Sequence, residues 1–498
     1  MPEPADQRLF ALSSAVAKDG LAFIERLLTE KRPIKPYDNW PVISWSEGMP
    51  NFTFVCDDPP IDYGDAFRSL WSLLLLLGRR ADAKEQFDFE KQDAYQELKR
   101  YIRSEPPPAA LVFPPDLHEG VFSAAIKIVL EEAIDRYIHL TGLTSFDADR
   151  FLEIYLPLEA GLLLEELPIE IQTPVLLVNF SSDSYDLNET ISITRMSEPI
   201  QLARARRDHD THDANEYLLQ QASHALVLRN HFLPNSEYRQ RLWGYSVSAP
   251  SLDIIDTFFA CLRIVTSIET GYAQILFVPI GWAHSYTASL PPLEGLTTRK
   301  YPPNLRPVST LIGDEFPKMS DHQVETVRDL FRALTSIQST DEGSRLRLVI
   351  KRLNSCYMRE DQEDAILDAT IGLEILLSDG DTQEVTHKLA LRLAALSTLV
   401  PGCEQQAATV FRNVKKAIYA FRSAVVPGNE KKASKTREVK TGTGKAVAAV
   451  KLAIDYLGMA VRAVAAHPEY LSPAAIDDEL LLGRAAVRSL GAADMPEK

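Results

Sequence analysis

Two stretches of sequence decide the fold of the C-terminal third of the chain. Residues 344–358 read SRLRLVIKRLNSCYM, and residues 363–377 read EDAILDATIGLEILL. Apolar residues recur at i, i+3, i+4 and i+7 over 346–353, and the same spacing returns over 366–373. Apolar residues at that spacing form one stripe along an α-helix. The two stretches therefore predict two amphipathic helices that pack through their apolar faces.

The same helical pattern continues on both sides of these two stretches. Helices are predicted at 321–338, 343–357, 361–378, 383–399, 404–426 and 443–466. No strand is predicted after Pro307, and the connections are short enough for antiparallel neighbours. Residues 320–480 are therefore predicted to form an all-α helical bundle.

The chain upstream of the bundle has a mixed character. Residues 1–165 are predicted to be a helical region, with helices at 5–30, 67–77 and 121–140. Residues 166–310 are predicted to be a small α+β domain, with strands at 169–171, 175–178, 191–193, 225–228 and 275–280 and a helix at 254–264. The predicted fold class is α+β: a mixed helical and α+β N-terminal region followed by the all-α bundle.

Composition and charge exclude several classes of protein. The chain has 498 residues and a formal net charge of −16, so its surface as a whole is not a grip for nucleic acid. Its four cysteines show no C-x-x-C spacing, which predicts neither a zinc site nor a disulfide framework. Neither a signal peptide nor a membrane-spanning run is recognised. We expect a cytoplasmic protein that has no membrane partner and no cofactor.

Four pieces of the predicted bundle, in order, resemble the Apea-like HEPN family. RLVIKRL at 347–353 with CYMR at 356–359 resembles A-I-x-R-F … S-Y-x-R. EDAILDATIGLEILL at 363–377 resembles E-D-x-x-I-D-x-x-I-A-L-E-A-L-L. EVTHKLALR at 384–392 resembles E-x-T-x-K-L-A-x-R-x-A, and IYAFRSAVVPG at 418–428 resembles L-Y-x-x-R-S-x-I-V-H-G. The order and spacing of the four pieces carry the resemblance.

The resemblance implies a HEPN bundle that cleaves RNA without a metal ion and that pairs as a homodimer to form its cleft. It also implies a role in bacterial defence against phage. The family's R-x4–6-H motif combines an arginine for the phosphate with a histidine for proton transfer. An arginine stabilises charge on a phosphoryl transition state, and a histidine can take the proton of a ribose 2′-hydroxyl.

The sequence departs from that motif at one position. Arg422 and Ser423 match the motif and are the candidate catalytic residues, but Pro427 occupies the place of the histidine. Proline has no group that titrates, so it cannot act as the base. Glu374 and Asp368, on the second of the four pieces, are candidates to orient Arg422 by a charge-assisted hydrogen bond. Arg392 and Lys388, on the third of the four pieces, are candidates to complete this network, and a structural ion pair is the alternative role of the two carboxylates.

Other histidines are candidates to replace the missing one. His467 follows Arg462 at the spacing of the motif, and His212 follows Arg207 in the same way. The second pair lies in RRDHDTHD at 206–213, where His209 and His212 could instead hold zinc or manganese. A solvated polar loop explains the same residues, and we predict no metal site.

Basic residues cluster around Arg422 although the chain is acidic overall. The candidate RNA-binding residues are Lys415, Lys416, Lys431, Lys432, Lys435 and Arg437. A phosphate backbone would run along such a cluster. A lysine-rich loop over 429–444, made soluble by its charges, is the alternative interpretation.

Two classes of function remain open from the sequence. In the first, the protein is a metal-independent endoribonuclease of a defence system, with Arg422 acting beside an unidentified base. In the second, the bundle is catalytically silent and serves RNA binding or dimerisation. The family resemblance favours the first class, whereas the missing histidine favours the second.

Overall fold

A computed structural model gives the structure of the protein. It describes residues 3–67, 87–104, 118–211, 218, 220–235, 247–305, 316–340, 343–380, 384–401, 407–426, 428, 430–440 and 446–483. The predicted helix at 67–77 lies almost entirely outside the described residues. The chain forms two compact units, and each is described by itself.

Helices account for most of the described elements. They are α1 Gln7–Thr29, α2 Asp93–Ile102, α3 Glu119–Thr141, α4 Ala148–Leu163, α5 Glu198–Thr211, α6 Ala249–Thr266, α7 Asp321–Gln338, α8 Gly343–Met358, α9 Gln362–Leu377, α10 Val385–Leu396, α11 Ala407–Asn413, α12 Tyr419–Val425, α13 Glu430–Thr436, α14 Ala449–Ala466 and α15 Pro473–Ala475. Single π-helical turns lie at Val414–Ile418 and Ile476–Leu481.

The described part of the chain also contains strands. They are β1 Val42–Ser46, β2 Met49–Thr53, β3 Glu166–Pro174, β4 Asn179–Phe180, β5 Ser184–Asp186, β6 Ile191–Arg195, β7 His224–Pro234, β8 Tyr272–Pro279, β9 Glu294–Lys300, β10 Lys318–Met319, β11 Glu438–Lys440 and β12 Ala446–Ala448. The protein is therefore a mixed α+β protein, as predicted.

The first unit comprises Met1–Pro174, Thr190–Ser246 and Gln274–Thr298. Its strands β6, β7, β3, β8 and β9 lie side by side, in that order, in one sheet. Strand β3 pairs antiparallel with both β7 and β8, with an irregularity between Ile169 and Ile171. Helices α1 to α4 bury a separate apolar core built from their leucine, isoleucine and aromatic side chains.

A buried carboxylate fixes the start of the first unit. Glu159 of α4 is 3% exposed and accepts hydrogen bonds from the backbone N–H groups of Ala5 and Asp6, at 2.8 and 3.0 Å. Asp6 in turn caps α1 by accepting from the N–H groups of Arg8 and Leu9. Helix α1 therefore begins where its first orphan N–H groups find side-chain acceptors.

A second buried carboxylate, Asp135 of α3, gathers four groups of the first unit. It accepts from the Tyr37 hydroxyl at 2.8 Å and from the N–H groups of Tyr63 and Ala288 at 2.9 and 3.2 Å. His139 Nε2 lies 3.4 Å from Asp135 Oδ1. The carboxylate is 1% exposed, so these contacts replace its hydration.

We expect the effect of His139→Ala on stability to depend on pH. Burial, the largest influence, lowers the pKa of His139, but the hydrogen bond and charge of Asp135, with smaller help from the Ile61 carbonyl and Asp62, raise it overall. Stabilisation from a raised pKa is fully present below the unfolded-state value of about 6.5 and is lost as pH rises through the folded-state value. The loss of unfolding free energy in His139→Ala should therefore be about 1–2 kcal/mol larger at low than at high pH.

Urea unfolding of native and variant protein across this pH range measures that difference. His139→Gln, which keeps a hydrogen-bond donor but cannot become charged, should show the same pH-dependent loss. A loss that is constant from low to high pH would contradict the proposed ion pair.

The second unit comprises Val175–Glu189, Val247–Ala273 and Arg299–Lys498. Helices α7 to α14 lie in it, and α9 packs against α8, α12 and α14. Helix α7 begins at a capping box, in which the side-chain oxygens of Ser320 and Gln323 each accept a hydrogen bond from the other residue's backbone N–H. Gly372 of α9 lets Leu457 of α14 approach closely, because a Cβ at residue 372 would lie 2.8 Å from a Leu457 methyl group.

Several predicted elements of this unit are wrong in detail. Residues 175–178 are buried but form a turn, in which Leu177 has φ of +59° and the Leu176 N–H donates to the Gly271 carbonyl. Strands do not vanish after Pro307, because β10, β11 and β12 follow it. Residues 407–425 are not one α-helix, because the π-helical turn divides α11 from α12.

The two units group the chain differently from three consecutive domains. The segment predicted as one α+β domain, 166–310, contributes to both units. None of the helices in the described part of the chain is both long enough and apolar enough to span a bilayer.

Candidate functional site

The site is positioned by the irregular helix that carries Arg422. A π-helical turn at Val414–Ile418 precedes Tyr419, and α12 continues from that residue to Val425. A π turn inserts one extra residue, which rotates all later side chains about the helix axis. Tyr419 and Phe421 are buried as a result, Arg422 is half-buried, and Ser423 is exposed.

The Arg422 guanidinium lies against a carboxylate and a phenol. Its Nη2 is 3.2 Å from Glu374 Oε1, and the Tyr419 hydroxyl donates to the same oxygen at 3.2 Å. The guanidinium carbon also lies 5.5 Å from the centre of the Tyr419 ring. Arg422 Nε is buried and has no hydrogen-bond partner among the described residues. Glu374 therefore holds Arg422 in place, while the Nε donor of Arg422 has no partner among the described residues.

The Tyr419 hydroxyl is a donor and not a base. Burial is the main cause that raises its pKa, and the negative charge of Glu374 adds to it against the opposing charge of Arg422. The phenol therefore stays protonated at neutral pH and can only donate its proton in hydrogen bonds. Tyr419 therefore cannot take the proton from a ribose hydroxyl.

Asp368 does not take part in this arrangement. It is 3% exposed and binds Arg352 Nη1 and Arg359 Nε, each at 2.7 Å. Six residues at about 100° each make about 600°, so Asp368 and Glu374 lie about 120° apart around α9, on different faces of the helix. The expectation that both carboxylates orient Arg422 is therefore wrong for Asp368.

Arg392 is also placed elsewhere. Its guanidinium donates to Asp477 and Asp379 and to the Leu377 carbonyl. The expectation that Arg392 completes the network of Arg422 and Glu374 is wrong, because its donors are used at the end of α9 and in the C-terminal turn.

The candidate histidines have different outcomes. Pro427 and His212 lie outside the described residues, as does the side chain of His209, whereas Gly428 is described, with φ of +70°. His467 ends α14, where its Nδ1 lies 3.5 Å from Glu469.

The described contacts do not bring His467 to Arg422. Helix α14 touches α9 where Leu457 meets Gly372, which is two residues from Glu374. His467 lies ten residues further along α14, a rise of about 15 Å. Its ring instead lies 5.8 Å from that of Tyr470.

The candidate RNA-binding residues are exposed. They are Lys415 and Lys416 on the π turn, Lys431, Lys432 and Lys435 on α13, and Arg437 just after it. Helix α13 packs against α12, so its cations follow the helix that carries Arg422. Residues 430–440 are thus helix and strand, whereas the alternative interpretation had a loop there.

The partners of Lys415 and Arg437 are a histidine and a glutamate. Lys415 Nζ is 3.2 Å from His387 Nδ1, and Arg437 Nη2 is 2.5 Å from Glu363. The hydrogen bond from Arg437 is the main cause that lowers the pKa of Glu363. Glu363 thus partly neutralises the charge of Arg437. The contact between Lys415 and His387 was not predicted from the sequence.

No group of three or more histidine, cysteine, aspartate or glutamate side chains in the described part of the chain is placed to hold a metal ion. Arg207 donates to the Gly295 carbonyl within the first unit. Residues 208–211 are described only as backbone of α5.

Comparison of the chain with protein-family models, with curated proteins and with solved structures found no significant match.

Proposed function

We propose that the second unit binds the phosphate backbone of RNA through the cations of α13, as a HEPN-type module that is catalytically silent or nearly so. One observation carries the proposal: Lys431 and Lys435 lie one helical turn apart, are exposed, and have no acidic partner among the described residues. Two exposed cations without an acidic partner among the described residues, in a chain of net charge −16, favour a polyanionic ligand at this helix.

The neighbouring residues support contact along α12 and α13. Lys416 adds an exposed cation on the π turn, and Arg422 keeps a buried Nε donor without a described partner. The Arg422 side chain is 31% exposed, and its exposed part can donate a charge-assisted hydrogen bond to a phosphate oxygen. No aromatic residue stands among Lys431, Lys432 and Lys435, so the proposed contact is to the backbone and is independent of base sequence.

The chemistry of the site supports binding more than turnover. Glu374 neutralises part of the charge of Arg422, and Tyr419 stays protonated at neutral pH. Pro427 stands in place of the motif histidine, and the described partners of Arg422 are Glu374 and Tyr419, neither of which is a histidine. A role in anti-phage defence and a homodimer would follow if the family resemblance holds.

Replacing Lys431 and Lys435 together by alanine should weaken RNA binding and make it less sensitive to salt. Each lost phosphate contact reduces the slope of log K against log salt by about 0.7 for single strands, so the double variant should lose about 1.4. Fluorescence anisotropy with a labelled single-stranded RNA at several salt concentrations measures both quantities.

The matched control is Lys18→Ala with Arg100→Ala, which removes two exposed cations from α1 and α2 of the first unit. It should leave affinity and slope unchanged. If Lys431→Ala with Lys435→Ala binds with the native slope, or if the control loses as much, α13 is not the RNA-binding surface.

A further inference from the structure

The first unit contains a cleft that plays no part in the proposed RNA binding. Its volume is about 450 Å³, within the range of sites that enclose small molecules. The cleft is lined by residues of α3, of α4 and of the segment that follows β8. Those used below are Arg136, Arg150, Glu153, Pro157, Trp282 and Tyr286.

One wall of the cleft is held tightly in place. The Ala283 N–H donates to the Pro157 carbonyl of α4 at 2.8 Å. Gly161 allows this approach, because a Cβ at residue 161 would lie 2.3 Å from the Ala283 carbonyl oxygen. The Trp282 indole N–H donates to the Pro168 carbonyl at 2.7 Å, and the side chain is 1% exposed. The wall is therefore preformed, which lowers the entropic cost of binding a ligand.

A partly buried cation lies inside the cleft. Arg136 Nη1 donates to the carbonyl groups of Ala288 and Leu290, at 3.3 and 2.7 Å, and its guanidinium lies 4.3 Å from the centre of the Tyr286 ring. Burial lowers the pKa of Arg136, and no carboxylate of the described residues pairs with it. Nε and Nη2 have no hydrogen-bond partner among the described residues, so an anion in the cleft would compensate the lost hydration of this cation.

The rim carries one charge of each sign. Arg150 and Glu153 of α4 are exposed, and neither side chain has a described partner. With Arg136 the local balance is two positive charges against one negative charge. Ile154, Pro157, Pro279 and Trp282 also line the cleft and add apolar surface to it.

We propose that this cleft binds a small organic oxyanion with a flat apolar body, the oxyanion against Arg136 and Arg150 and the flat body against the prolines. The site is independent of the proposed RNA surface on α13, so the two proposals succeed or fail separately. A phosphate and a carboxylate supply the same oxyanion chemistry, and the test separates them.

The test titrates full-length protein with AMP and, separately, with indole-3-acetate, by isothermal calorimetry. We expect saturable binding of at least one of them, and which one binds identifies the oxyanion. Arg150→Ala should weaken that binding about fivefold, and Glu153→Gln should strengthen it by a similar factor, since each changes one rim charge. Adenosine, which lacks the oxyanion, should not bind.

Arg100→Ala, an exposed arginine of α2, is the matched control and should leave the affinity unchanged. Because Glu153→Gln is expected to gain affinity, a damaged fold cannot imitate its effect. Absence of saturable binding of both probes up to about 10 mM, or equal affinity in native, Arg150→Ala and Glu153→Gln protein, would overturn the proposal.

Discussion

Arg392→Ala should lower the free energy of unfolding of the second unit by about 3 kcal/mol, which makes it the substitution with the largest expected effect on stability. Arg392 is 2% exposed. Its Nε and Nη2 bind the two oxygens of Asp477 at 2.9 and 2.6 Å, and Nη2 also binds Asp379 at 2.7 Å. Nη1 donates to the Leu377 carbonyl at 2.6 Å.

The magnitude follows from what alanine would leave behind. Removing one partner of a buried ion pair costs about 3–5 kcal/mol, because the other partner remains desolvated. Here the side chains of Asp379 and Asp477 are 36% and 37% exposed, so water can reach them after the substitution. The expected cost is therefore at the lower end of that range. The hydrogen bonds that Arg392 donates to Asp477 are also the main cause that raises the pKa of Arg392 against the effect of burial, so the arginine stays charged.

Urea unfolding and amide hydrogen exchange measure the effect. Arg392 joins the end of α9 to the turn at Ile476–Leu481, so exchange in that turn should increase first. Arg392→Lys keeps the charge but loses the two-pronged contact, and should lie between native protein and Arg392→Ala. Arg412→Ala, an exposed arginine of α11, is the control and should cost less than about 0.5 kcal/mol. A cost below about 1 kcal/mol for Arg392→Ala would mean that the ion pairs do not hold in solution.

The helices of the second unit were predictable because their signals are local. The predicted helix at 321–338 coincides with α7, and the one at 343–357 differs from α8 by a single residue. Apolar spacing and a hydroxyl cap such as Ser320 act within one helix, so the surrounding chain does not alter them.

Elements that depend on distant parts of the chain were not predictable in the same way. The apolar run at 175–178 resembles a buried strand, but its backbone turns to bond Gly271. Periodicity cannot separate these outcomes, because both bury every side chain. The partners of Arg392 are 13 and 85 residues away, so no local pattern indicates them.

The site was predictable in part. Residue type and position indicated that Glu374 lies beside Arg422, and the structure has the two 3.2 Å apart. The contribution of Tyr419 was missed, although it lies three residues before Arg422 on the same helical face. The π turn, which sets the direction of both side chains, leaves no clear mark on the sequence.

Pro427→His should convert the protein into a measurable endoribonuclease, with an RNA cleavage rate about 10²–10⁴ times that of the native protein. Our proposal assigns the native protein an arginine for the phosphate but no group for proton transfer. A histidine titrates near neutrality and would supply that group five residues after Arg422, at the spacing of the family motif. The gain should disappear in Pro427→His with Arg422→Ala, because the phosphate would then lose its cation.

Cleavage of a labelled RNA by purified protein, followed with time at neutral pH, measures these rates. Light scattering on the same samples reports whether the protein is the homodimer that a composite cleft needs. Val426→His is the matched control, because Val426 is 65% exposed and a histidine there lies one residue from the motif position. It should not restore cleavage. If native protein cleaves and Arg422→Ala does not, another residue already supplies the base and the protein is an enzyme.

Inactivity of both histidine variants would have a different meaning. Glu374 would then hold Arg422 too firmly for it to reach a phosphate, or α12 would serve binding alone. Glu374→Gln with Pro427→His separates these cases, since it removes the charge that pairs with Arg422 at 3.2 Å and leaves the hydrogen-bonding shape in place. Cleavage that appears only in this double variant would identify Glu374 as the residue that silences Arg422. Inactivity of the double variant, together with intact RNA binding, would leave the cations of α13 as the functional feature of the bundle.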